Sequence, residues 1–137
     1  MLQEPMRSIL KQLIGITDED LDRISPGIQR FLSGISQLGQ YKIIAEVIDS
    51  KYCAAGVKPG DKIVIRGNTV SAPESTCPLC IGLLGPLMPR AYEMMVRLAE
   101  GLDPDEMIFK YSECFDTGLD HGGLGKVHFK LYTEKVG

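Results

Sequence analysis

A chain of 137 residues can bury one core but not two of ordinary size, and 44% apolar with 24% charged side chains describes a folded globular protein. A net charge of -3 with dispersed acids excludes a phosphate-backbone binder, which needs a dense basic surface, so no nucleic-acid partner is expected. No apolar run reaches the roughly 18 residues of a membrane span.

The opening "MLQEPMRSILKQLIG" contains Glu4 and Pro5 and lacks the apolar stretch and small-residue cleavage site of a secretory signal. The expectation is a cytoplasmic protein with reduced thiols. In the same segment Met6, Ile9, Leu10, Leu13 and Ile14 recur on one helical face, with Gly15 as a stop. Thr17 followed by three acids within "TDEDLDRI" is a second helix start, because its hydroxyl can cap and the acids meet the positive end of the macrodipole. Ser25-Pro26 is a third start, from which Ile28, Phe31, Leu32, Ile35 and Leu38 keep helical spacing to Gly39. Residues 1–40 therefore read as a helical element. Its apolar stripe must be buried against the rest of the chain, a protein partner or a second copy.

Residues 41–137 change period. "YKIIAEVID" is rich in β-branched residues and reads as a strand, and "KPGDKIVIRGN" reads as a turn, a strand over Lys62–Arg66 and a second turn. "GNTVSAPEST" reads as a loop. Within "PRAYEMMVRLAEGL", Ala91, Met94, Met95, Leu98, Ala99 and Leu102 share a helical face closed by Gly101. "EMIFKYSEC" and "KVHFKLYT" alternate as strands, the second with Val127, Phe129 and Leu131 opposed to Lys126, His128 and Lys130. The predicted class is α+β: N-terminal helices, then a mostly antiparallel sheet with one main helix packed on it.

Four cysteines, Cys53, Cys77, Cys80 and Cys114, have 23, 2 and 33 residues between them, each in or beside a turn-rich stretch. Placed where strands and helices begin or end, they could converge at one end of the sheet. Four thiolates suit zinc, which takes sulfurs at about 2.3 Å in a tetrahedron, or an iron–sulfur cluster. Cys77-Pro78-Leu79-Cys80 also has the C-P-x-C form of a redox pair. In that reading Cys77 sits at a helix N-terminus as a low-pKa nucleophile and Cys80 resolves the mixed disulfide. The glutaredoxin-like context, a buried strand just before the pair, is missing. A third alternative is four reduced thiols in packing roles.

The residues "CAAGVKPGD" (Cys53, Gly56, Lys58, Gly60, Asp61), the central Cys80 or secondarily Cys77, and "ECFDTG" (Cys114, Asp116) resemble a family of small bacterial and archaeal proteins. That family carries C-P-A-G-x-K-x-G-D, a central cysteine after a turn, and a cysteine with an acidic turn before the last strand. The resemblance spans roughly residues 41–133 and implies three cysteines and no established activity. This chain departs from it in its first forty residues and in having a fourth cysteine. Three convergent thiolates would leave a metal position open, whereas four would close it.

"AGVKPGDKIVIRGNTV" is also similar to the K-P-G-D segment of PDZ domains, and "GGLGKVHF" to their carboxylate-binding loop, which implies a binding module that captures a peptide terminus by strand addition. The two segments occur in the reverse of the usual order, and K-P-G-D is a good turn in any β-containing fold. His121 and His128 lack a partner at ligand spacing and read as a loop and a sheet-face residue. Asp103, Asp105 and Glu106 lack the calcium-loop pattern and read as a solvated turn. "GGLG" at 122–125 lies between strands, not at a helix start, and is too short for a phosphate loop. Met88, Met94 and Met95 read as core.

The expected function is thus a small cytoplasmic protein that binds an iron–sulfur cluster or zinc through Cys53, Cys77, Cys80 and Cys114, as a subunit or accessory of a larger enzyme. The alternatives are a thiol–disulfide oxidoreductase and a PDZ-like or other binding module.

Overall fold

The structure, a computed structural model, describes residues 1–136. The N-terminal helices begin where their caps place them. Helix α1 (Met6–Ile14) ends at Gly15. Helix α2 (Asp18–Leu21) starts at Thr17, whose Oγ1 accepts the Asp20 N–H at 3.1 Å. Helix α3 (Pro26–Ser33) starts at Ser25, whose Oγ accepts the Ile28 N–H at 3.3 Å, and α4 (Ile35–Gly39) follows after a break at Gly34. Arg7 and Lys11 on α1 meet Asp18 at the start of α2 and Asp22 at its C-cap at 2.9–3.3 Å, which links the first two helices.

Five strands, β1 (Tyr41–Lys51), β2 (Lys62–Arg66), β3 (Thr69–Ser71), β4 (Tyr111–Glu113) and β5 (Lys126–Lys135), form one antiparallel sheet in the order β3-β2-β1-β5-β4. The register pairs Ala45 with Ile63 on one side and with Leu131 on the other, and Val47 with Phe129. Because side chains alternate, Ile43, Ala45, Val47, Ile63, Ile65, Val127, Phe129 and Leu131 share one face, and all are buried. Helix α5 (Ile81–Ala99) lies across that face and buries Leu83, Leu87, Ala91, Met94, Met95 and Leu98. Each of these leucine and methionine side chains contributes about 1.5–3 kcal/mol on leaving water. The architecture is α+β, as the pattern predicts.

The opposite face buries Ile44 and Val64 as a pair. They share it with long polar side chains whose heads are linked. Arg66 and Lys42 both reach Glu74, Lys42 reaches Glu134 at 3.5 Å, and Tyr132 Oη donates to Glu46 at 2.9 Å.

Three expectations change. Helix α5 begins at Ile81 rather than near Pro89, with Pro86 and Pro89 inside it. Leu83 and Leu87 continue the apolar face through these prolines, and burial outweighs the local preference. "EMIFKYSEC" enters the sheet only at Tyr111. Before that, Pro104–Glu106 is a 3-10 turn in which Asp103 accepts the Asp105 N–H, and Arg97 binds the Asp103 carbonyl. Met107 is buried while Ile108 and Phe109 face solvent. "GNTVSAPEST" contains β3 and a 3-10 turn at Ala72–Glu74 rather than plain loop. Helices α3 and α4 pack on α5 through Phe31 and Leu38, but α1 buries nothing and leaves Leu13 and Ile14 largely exposed. Among the described residues, no helix is long and apolar enough to cross a membrane.

Candidate functional site

Three cysteines from distant parts of the chain face one cavity. Cys53 follows the exit of β1, where Tyr52 adopts a left-handed φ of 57°, a conformation non-glycine residues rarely hold without support. Cys80 is the N-cap residue of α5, and its carbonyl accepts the Leu83 and Leu84 N–H groups at 3.1 and 2.9 Å. Cys114 follows β4 and stays in the ladder: its N–H donates to the Val127 carbonyl at 2.9 Å, and its Sγ accepts the Val127 N–H at 3.3 Å. Together with Val57, Leu83, Val127 and a few small residues, the three line a mainly apolar cavity of about 120 Å³.

The Cys114 arm is held from two sides. The Phe115 N–H donates to the Gly82 carbonyl at 2.9 Å, binding the arm to the first turn of α5 next to Cys80. Asp116 accepts the N–H groups of Gly118, Leu124 and Gly125 at 2.9–3.0 Å, and these bonds hold its carboxyl below the ordinary carboxylate range. Gly125 in turn lies so close to the Tyr52 carbonyl and the Cys53 Cα that a Cβ there would overlap the backbone. Lys126, also on the cavity wall, donates to the carbonyls of Cys114 and Asp116 and pairs with Glu113 at 3.1 Å.

Cys77 is placed differently. It is only 8% exposed, belongs to the hydrophobic core, and is not among the cavity-lining residues. Burial pushes its thiol up, the Asp61 carboxylate adds to this, and Cys53 and Cys80 are near enough to contribute. The expected place of Cys77 at a helix N-terminus is therefore corrected. The helix begins four residues later, so its free amides lie beyond Cys77, and the surroundings favour the neutral thiol. Of the four expected ligands, Cys53, Cys80 and Cys114 line one cavity, and Cys77 is buried in the core near Cys53 and Cys80 without lining it. Among the described residues, no three His, Cys, Asp or Glu side chains are already gathered into a shell for a single ion.

The remaining candidates make local contacts. His128 bridges Asp49 at 2.7 Å and Glu113 at 3.1 Å on the sheet face away from the core, and His121 lies on an exposed loop. Lys58 to Asp61 is a closed turn in which the Lys58 N–H donates to Asp61 Oδ2 at 2.8 Å. In the "GGLG" loop, the amides that a PDZ-like site would offer to a peptide carboxylate are engaged by the chain's own Asp116. Sequence reasoning missed Lys126, Phe115 and Pro86. The only sign of the last was a proline within an apolar, helix-spaced run.

No family model, no curated protein and no solved structure matches this chain.

Proposed function

We propose that the cavity holds an iron–sulfur cluster through the thiolates of Cys53, Cys80 and Cys114. The observation that carries this reading is the convergence of these three cysteines, far apart in sequence, on one small apolar cavity. A cluster suits the arrangement better than zinc. A lone ion needs its sulfurs drawn to about 2.3 Å, whereas a cluster takes them at its periphery. Bound there, the group would supply one-electron chemistry. The Val127 amide on Cys114 Sγ and the nearby Lys126 ammonium would both favour its reduced form. The family resembled over residues 41–133 implies three cysteines, which correspond here to Cys53, Cys80 or secondarily Cys77, and Cys114.

In this reading the protein works in a reducing, cytoplasmic setting as a subunit or accessory of a larger enzyme. Its partner, or a second copy, docks on the N-terminal helices, where Leu13, Ile14 and Ile28 stand exposed.

The test is purification without oxygen, followed by iron and sulfide analysis and a visible spectrum. Wild type and Cys77→Ala should carry the chromophore, and Cys114→Ala should lose it. Wild-type protein that stays colourless after anaerobic reconstitution with iron and sulfide overturns the proposal.

One observation favours a second reading, a thiol-dependent activity. Cys80 opens a 19-residue helix, a position where free amides favour anions. There the attacking sulfur would be Cys80 and not Cys77. Fast alkylation of Cys80 at neutral pH, in protein that takes up no metal, would select it.

A further inference from the structure

We infer that Gly82, Gly85 and Pro86 are positioning residues: together they form a receptor on α5 that docks the Cys114 arm and so delivers the third thiolate to the cavity. In a continuous helix the Gly82 carbonyl would accept the N–H of residue 86. Pro86 has none, and it lies well past the first turn, where a proline is normally tolerated. The unfilled acceptor is taken across the fold by the Phe115 N–H at 2.9 Å. One turn on, the Phe115 ring lies over Gly85 so closely that a Cβ on that residue would overlap it. Both contacts act on the residue next to Cys114, and Gly82 is itself two residues from Cys80. The sequence feature "GLLGP" thus sacrifices a helical hydrogen bond and uses the freed carbonyl to tie the residue after Cys114 to the helical turn that follows Cys80.

This accounts for a proline at position 86 in a helix whose apolar face continues straight through it. A merely tolerated proline would leave the Gly82 carbonyl to water.

The test compares wild type, Pro86→Ala and Gly85→Ala as full-length, reduced, metal-free proteins. Pro86→Ala restores a helical donor that competes for Gly82. The Phe115 amide should then exchange with solvent on the order of tenfold faster, and Cys114 should alkylate faster with iodoacetamide, while the rates at Cys53 and Cys80 hold. The melting temperature should stay level or rise, because the helix gains a bond. Site and stability moving in opposite directions separates positioning from simple structural support. Gly85→Ala should displace the Phe115 ring and speed Cys114 alkylation without adding a donor. Unchanged Phe115 protection in Pro86→Ala, whatever its melting temperature, overturns the inference. These readouts need no cluster. The inference rests on the cluster reading only for one further expectation, that reconstituted Pro86→Ala loses its visible band faster than wild type. A colourless wild type would remove that reading and leave the docking result standing.

Discussion

The Gly125 amide donates to Asp116 Oδ2 at 3.0 Å while its Cα lies against the Tyr52 carbonyl, so a single residue joins the loop after Cys114 to the strand exit before Cys53. The contact at Tyr52 is backbone, which cannot rotate away. Gly125→Ala should therefore cost about 1–3 kcal/mol by chemical denaturation, and Cys53 should become easier to alkylate. An alanine variant as stable as wild type would show that the two segments are not held this closely.

Asp116 should impose a pH dependence on the same loop. Its folded-state pKa is depressed by three backbone amides, so its contribution is present above the ordinary value of 3.8 and is lost as pH falls through the lower folded value. Below that window the Leu124 and Gly125 amides should lose protection from exchange. Asp116→Asn should show that loss already at neutral pH, which amide exchange followed residue by residue would check.

Tyr132 gives the opposite sign at the alkaline end. Burial and then the hydrogen bond to Glu46 raise its phenol from 10 to about 12. The stability it contributes is thus present below 10 and lost as pH rises through about 12. An ultraviolet titration should show a tyrosinate step near 12 that Tyr132→Phe removes.

The cysteines should separate by access. In reduced, metal-free, folded protein, Cys77 should be alkylated last, because it is buried and its thiol is held neutral. Mapping the labelled peptides over time would check the order. Early labelling of Cys77 would place it on the open side of the cavity.

Leu87 tests the unexpected first half of α5. It is fully buried between two helix prolines. Leu87→Ala should cost about 2–5 kcal/mol, measured by urea unfolding. A cost near zero would mean that this stretch is not part of the core.

The elements legible in the sequence were those whose signals are local. Thr17 and Ser25 cap the helices they announce, and the alternation of Val127, Phe129 and Leu131 matches their burial. The misread elements depend on distant partners. Pro86 reads as a helix breaker until Phe115 supplies the compensating donor. The alternation around Ile108 is undone by Arg97 and Lys110, which hold that segment as a turn. At the site, spacing identified four thiols but not which of them share a wall. That depends on α5 beginning at Ile81, one residue after Cys80 and four after Cys77.

The sheet ends on both sides in strands of only three residues, β3 and β4. At the β3 margin an edge this short offers few unpaired backbone groups to an incoming chain, whereas β4 covers only residues 128–130 of β5 and leaves residues 132–135 without a strand partner on that side among the described residues. Strand addition at high concentration should therefore occur at the outer half of β5 rather than at β3, and Thr133→Pro should suppress it.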